Sequence, residues 1–258
     1  MTQVTASAVA SLRARTGVGM MECKQALEES GGDEEKAIEW LRKRGTAHAV
    51  KKAGREQGEG YVFTAEGKGK LAIVLIRCET DFVARSDDFQ KFGQEIAELL
   101  LKEGEAGGKK AAEPKVTAAV QQLGENISLG ETRVIEAPVI GSYVHSNGKI
   151  GVVVALDSGS AETAKDVAMH AAAMNPLYVT PDDVPAGDVA KEKEIWKSQL
   201  AKEGKPEAIM EKIMMGKEKK FKEENALTTQ QFVKNPEQKV GQLLGKGKIT
   251  EYVRLSVR

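Results

Sequence analysis

Side chains that could perform acid–base or nucleophilic chemistry are few and scattered in this chain. Its 258 residues include three histidines, His48, His145 and His170, and two cysteines, Cys23 and Cys78. His145 and His170 have no companion cluster of Asp and Glu, and such histidines are more often satisfied structural residues than ligands or bases. The cysteines lie far apart and outside any C-x-x-C, so neither a disulfide framework nor a zinc site is suggested; each reads as a small buried hydrophobe. No G-x-x-x-x-G-K-[ST], G-x-S-x-G or H-E-x-x-H occurs, nor a G-x-G-x-x-G between strand and helix. Gly67-Lys68-Gly69-Lys70 and Gly245-Lys246-Gly247-Lys248 are lysine-flanked turns instead. Catalysis would have to rest on carboxylates, and none is paired at a telling position. An enzyme is the weak hypothesis, and neither a metal nor a cofactor is expected.

The chemistry that remains is recognition, and Thr80-Asp81-Phe82-Val83-Ala84-Arg85 is where it concentrates. Leu71 to Ile76 is a short branched apolar run that reads as a buried strand. Ser86-Asp87-Asp88 starts a helix with Phe89, Phe92, Ile96, Leu99 and Leu100 at helical spacing. Phe82 therefore sits in a strand-to-helix connection, where turn chemistry favours Gly, Pro, Asn and Asp. For an arbitrary loop phenylalanine, tucking under its own loop is the commoner fate. The alternative is an anchor displayed for a partner's pocket.

An internal comparison favours display. Gly60 to Phe63, a turn at Gly67-Lys68-Gly69, Lys70 to Cys78 and a helix from Ser86 read as a hairpin plus helix. Gly141 to His145, a turn at Asn147-Gly148, Lys149 to Leu156 and a helix from Ser160 read the same way. The second copy joins strand to helix with Asp157-Ser158-Gly159, whereas the first uses Glu79 to Arg85, four residues more. Loop residues that a scaffold does not require are where binding residues gather.

The remaining elements follow in order. Residues 1–55 read as a three-helix bundle and linker. Thr5 caps the first helix, Gly17 breaks it, Met20-Met21 opens the second, and Asp33 caps a third that ends at Arg42-Lys43-Arg44 before Gly45. So small a bundle leaves some apolar surface outside, and Met20 and Met21 read equally as core filler or contact patch. Residues 42–55 hold six bases and no acid. Without an aromatic for stacking they read as a solvated connecting helix rather than a nucleic-acid patch.

Residues 56–140 form the first half of the core. Within it Gly104 to Lys115 lacks apolar periodicity and reads as a loose connector, and Glu131 to Ile140 reads as a strand leading into the second copy. Residues 141–187 are the second half. Residues 188–224 carry only a thin apolar seam, interrupted at Gly204-Lys205-Pro206, and read as a slim helical hairpin. Residues 225–258 return to the core with a short helix at Val240–Leu244 and a last strand. The fold class is α+β, with antiparallel sheets.

Lys plus Arg and Asp plus Glu both number 38, so no net field points to nucleic acid or membrane. No apolar run reaches membrane-spanning length, and the N-terminus lacks a charged start followed by an apolar core. The cytoplasm is the expected location, without membrane or direct nucleic-acid partners.

The residues now carry a resemblance. Arg15 to Leu27 resembles the N-terminal signature of translation elongation factor Ts, and Thr80 to Arg85 its second signature. Gly141 to His145, Ala168-Met169-His170 and Val240 to Leu244 resemble further blocks in the same order, so the similarity runs from about Thr5 to the end. It implies a ubiquitin-associated-like bundle, two related core halves and a helical-hairpin protrusion. It implies nucleotide exchange on elongation factor Tu, with Asp81 and Phe82 as the wedge framed by Thr80 and Val83. By the same carry-over Arg13, Met20 and Met21 meet the partner's GTPase domain and His145 faces its third domain. The protrusion mediates self-association in some members, or Trp196 and the Ile/Met seam fold back on their own hairpin. Two departures accompany this. Longer members continue past the position of Arg258 into a helix that also touches the partner, and Ala10 stands where some members have a lysine, which implies one charged contact fewer. A ubiquitin-associated-type adaptor and an RNA-binding accessory protein using Arg42 to Arg55 remain the alternatives.

Overall fold

The computed structural model describes residues 4–201 and 207–257. Three helices open the chain: α1 (Ala6–Thr16), α2 (Met20–Glu29) and α3 (Glu34–Lys52). The Thr5 hydroxyl caps α1 by accepting from the Ala8 N–H, and the Asp33 carboxylate caps α3 by accepting from the Lys36 N–H. Gly17 ends α1 at φ 68°, the left-handed conformation glycine adopts without cost. Val9, Leu12, Val18, Cys23, Ala26, Leu27, Ala37 and Leu41 fill the small core between them.

The helix α3 does not stop before Gly45; it runs on through the basic residues to Lys52. Gly45 is buried at that crossing, where a Cβ would strike the side chain of Gln121. It lies within the helix and does not end it.

Strands β1 (Glu59–Gly67) and β2 (Lys70–Cys78) pair antiparallel from Glu59 opposite Cys78 to Gly67 opposite Lys70. Lys68 at φ 54° and Gly69 at φ 74° make the tight turn between them, a geometry whose twist matches the strands. A one-turn helix, α4 (Asp81–Ala84), and a long helix, α5 (Asp87–Leu123), follow, and β3 (Ser128–Glu136) completes a sheet of order β1-β2-β3. Every residue from Leu71 to Ile76 is buried, as expected of the central strand. Phe63, Phe89, Ile96, Ala97 and Leu100 pack α5 onto this sheet.

Two sequence expectations fail here. Residues 104–115 are helical, continuing α5 after a kink at Gly104 (φ 75°, ψ 172°). Small residues anchor that continuation: Gly108 and Ala112 are buried, and Gly108 lies so close to Leu100 that a Cβ would meet it at 2.7 Å. The expected strand from Glu131 to Ile140 is two strands in different sheets, because Pro138 has no N–H with which to continue a ladder.

The second hairpin is β4 (Val139–Val144) and β5 (Ile150–Leu156), followed by α6 (Ala161–Met174). Ser160 caps α6 by accepting from the Thr163 N–H at 3.0 Å, and Asn175 ends it in the left-handed region. Next come α7 (Ala186–Ala201) and α8 (Glu207–Asn225), then β6 (Gln231–Phe232), β7 (Asn235–Lys239), α9 (Val240–Leu244) and β8 (Ile249–Ser256). The second sheet has the order β4-β5-β8. In the α7–α8 pair Trp196 is buried, its ring edge-on to Phe221 at 5.9 Å, and Lys193 bridges to Glu218. The expected break at Gly204-Lys205-Pro206 lies outside the described residues.

The chain divides into two compact units. One runs to Ile135 and takes in Ser146–Gly151 and the end of the chain from Leu255; the other is Glu136–His145 with Val152–Arg254. Within the first, Asn147-Gly148 packs under β1: the Val62 N–H donates to the Gly148 carbonyl at 2.8 Å.

Candidate functional site

The connection from β2 to α5 is built as a turn of helix rather than a loop. Thr80 leaves the strand in extended conformation, and its hydroxyl oxygen accepts from the Val83 N–H at 3.3 Å, the bond that starts α4. The Ala84 and Arg85 N–H groups close the turn onto the carbonyls of Thr80 and Asp81. At the far end the Ser86 hydroxyl donates to the Val83 carbonyl at 2.8 Å and accepts from the Phe89 N–H, so one residue ends α4 and caps α5. The Gln90 amide donates to the Ala84 carbonyl at 2.7 Å.

This scaffold decides the fate of each side chain. Ala84 is buried and Val83 half-buried against the core of the first unit. Phe82 points the other way and is 83% exposed. The ring does not tuck under its own connection. Asp81 pairs with Arg85 at 3.0 Å across the turn.

A pair of carboxylates braces the base of the turn. Glu125 Oε2 accepts from the peptide N–H groups of Glu79 and Thr80, both at 3.0 Å, while Oε1 accepts from the Thr80 hydroxyl at 2.5 Å. In return Glu79 Oε1 accepts from the Asn126 N–H at 2.7 Å. The Asn126 amide nitrogen donates to the carbonyl oxygens of Ala53 and Arg55, tying the brace to the linker after α3. Burial, with the nearby negative charges of Glu125 and Glu59, pushes the Cys78 thiol up to about 12. It is a neutral core group whose sulfur donates to the Thr80 carbonyl. Sequence reasoning missed Glu125, which no local motif marks, and gave Glu79 and Arg85 no role of their own within the connection it singled out.

The other predicted contact residues stand elsewhere. Arg13 is exposed on α1; Met20 and Met21, at the start of α2, are 45% and 75% exposed. His145 lies just past β4 in the second unit and is exposed, its Nδ1 3.2 Å from the Tyr143 hydroxyl. His170 is a satisfied core residue: Nε2–H donates to Gln230 Oε1 at 3.0 Å and Nδ1 accepts from the Val233 N–H. No group of three or more His, Cys, Asp or Glu that could hold a metal occurs among the described residues. No described helix is long and apolar enough to cross a membrane.

Bundle, paired hairpin-plus-helix units and displayed aromatic together define a class, an α+β protein whose candidate site is a contact surface. A family model described as elongation factor TS matches residues 79–258. The chain is 48% identical to the elongation factor Ts of Marinobacter nauticus, over all of this chain and 92% of that one. It is 45% identical to the elongation factor Ts of Vibrio parahaemolyticus, again over all of this chain and 92% of the relative. The corresponding protein of Hahella chejuensis is also 45% identical, over 95% of this chain and 88% of its own. This chain belongs to the elongation factor Ts family.

Proposed function

We propose that this chain is a guanine-nucleotide exchange factor for elongation factor Tu, working in the cytoplasm during translation elongation. The observation that carries the reading is the Phe82 ring, 83% exposed on a turn braced at both ends. Nucleotide affinity in a GTPase rests on loop amides, a lysine and magnesium gathered around the phosphates. An exchange factor needs no bond-making chemistry. It must bind the nucleotide-free form better than the loaded one, and linkage then obliges it to weaken nucleotide binding by the same factor.

In this reading Asp81 and Phe82 enter the partner's GTPase domain and disturb its magnesium site, with Thr80 and Val83 framing them. Burying one phenylalanine is worth about 1.5–3 kcal/mol, roughly a tenfold to hundredfold bias. The flanking contacts supply the rest: Arg13, Met20 and Met21 against the GTPase domain, and His145 against the third domain. Stopped-flow release of a fluorescent GDP analogue from elongation factor Tu tests this. Release is expected to accelerate when the protein is added, and an unchanged rate would remove the function.

The rival RNA reading of residues 42–55 is weakened by pairing within the chain. Lys43 bridges to Glu39, Arg44 donates to Gln25 and stacks over Trp40, Lys52 donates to the Gly124 carbonyl, and Arg55 meets Glu79. A second activity, self-association through the α7–α8 pair, is favoured by the exposed Ile195, Ile209 and Met215. Sedimentation across a concentration series tests it, and a constant monomer mass would exclude it.

A further inference from the structure

We propose that Glu125 is a positioning residue that sets the aim of Phe82, a role that rests on the exchange reading above. A helix of four residues cannot support itself, since forming a first turn is unfavourable on its own. Phe82 contributes nothing to holding α4, because its ring is turned outward. Ala84 and Val83 seat the inner face of the turn on the core, and what grips its two ends fixes how it is rotated there.

The Ser86 end is fixed through α5, which Ser86 also caps. The Thr80 end depends on Glu125. The Thr80 hydroxyl spends its only proton on Glu125 Oε1, so it faces the Val83 N–H as an acceptor, as a cap requires. The second carboxylate oxygen takes the N–H groups of Glu79 and Thr80 and so fixes the peptide plane from which the turn departs. These bonds are charge-assisted, hence stronger than neutral ones. Glu125 is itself held firmly. It follows Gly124, the left-handed C-cap of α5, and precedes Asn126, whose backbone and side chain are both bonded.

The second hairpin-plus-helix copy offers a contrast. There Asp157 Oδ1 accepts from the Lys248 N–H at 2.8 Å and the Asp157 N–H donates to the Lys248 carbonyl. That carboxylate belongs to the connection and grips another segment. In the first copy the carboxylate comes from outside and grips the connection, and that connection carries the exposed aromatic. Functional groups need support holding them to within about half an ångström of the working geometry.

The test uses the full chain as Glu125→Ala, Glu125→Gln, Phe82→Ala and the Glu125→Ala/Phe82→Ala double variant, with elongation factor Tu loaded with a fluorescent GDP analogue. Glu125→Ala is expected to slow accelerated release about tenfold, as losing bonds to a charged group would. Glu125→Gln keeps one oxygen for the two N–H donors and is expected to stay within about threefold of the unaltered protein. In the Phe82→Ala background, Glu125→Ala is expected to add nothing, which a merely structural role would not produce. Full-rate release by Glu125→Ala, or an undiminished further loss in the double variant, overturns the proposal while leaving the exchange reading intact if Phe82→Ala is slow. Wild-type release by Phe82→Ala instead overturns that reading and the aiming role with it. Amide exchange of the free protein gives an arm that needs no partner: Glu125→Ala should lose protection at residues 79–85 and keep it at residues 73–76. Unchanged protection at 79–85 likewise overturns the proposal, and loss at both segments reports general unfolding and overturns it too.

Discussion

The carboxylate of Asp81 and the guanidinium of Arg85 stand 3.0 Å apart across a single helical turn, with Phe82 between them in the chain. Both remain open to water, at 40% and 77% exposure, so the pair adds less than about 1 kcal/mol to folding. Arg85→Ala is therefore expected to shift the urea midpoint only slightly, and the shift should fade at about 0.5 M salt, where exposed charges are screened. A large or salt-independent shift would mean that Arg85 packs through its stem.

Phe82→Ala separates folding from function. The ring is 83% exposed, so little buried area is lost with it and the melting temperature should move by no more than a degree or two. If the ring is the wedge, the acceleration of GDP release should fall by about tenfold to hundredfold. Calorimetry and stopped-flow fluorescence on the same preparation check both halves.

Gly148 is expected to be intolerant for two separate reasons. Its φ is 68°, and a Cβ there would enter the ring of Tyr61. Its carbonyl also accepts from Val62, so the turn cannot shift without breaking a bond to β1. Gly148→Ala should cost more than about 2 kcal/mol by chemical denaturation, since backbone strain and overpacking add. A loss below about 1 kcal/mol would show that the Tyr61 ring can move aside.

That glycine also marks where sequence reading ends. Asn147-Gly148 between apolar strands announces a hairpin without help from the rest of the chain, because turn geometry is local. The ring of Tyr61 beneath it is not local and leaves no trace. Gly45 reads as a helix end because glycine is a poor helix former, yet α3 runs straight through it, beside the end of the Gln121 side chain. Residues 104–115 show no apolar period because Gly108 and Ala112 make the contact, and small residues do not register as a hydrophobic stripe. At the site, the exposed aromatic could be suspected from four surplus residues. Glu125 could not, since the N–H groups it holds lie 46 and 45 residues earlier.

The α7–α8 pair should depend heavily on Trp196. Trp196 is 8% exposed against Phe221, whereas Ile195, Ile209 and Met215 are half or more exposed or close to it. Trp196→Ala would lose on the order of 3–5 kcal/mol of packing, more than a slim pair of helices holds in reserve. Amide exchange is expected to rise across residues 190–201 and 207–222 while residues 152–156 of β5 stay protected. Equal loss in both segments would mean that the pair and the second sheet unfold together.

His170 should give folding a dependence on pH. Burial lowers its pKa below the usual 6.5, and the hydrogen bond to Gln230 offsets this only in part. The neutral ring suits both of its bonds, since Nδ1 must accept from the Val233 N–H. Between the folded and unfolded values the unfolded chain binds the extra proton, so stability rises with pH through that window. The contribution is complete above about pH 6.5, the unfolded value, and declines as pH falls toward the depressed folded value. His170→Gln removes the titrating group. Its absolute stability should be lower, but the change in urea midpoint between about pH 7.5 and pH 5.5 should be smaller than in the unaltered protein. An equal pH dependence in the two proteins would assign the slope to other groups and leave His170 a packing residue alone.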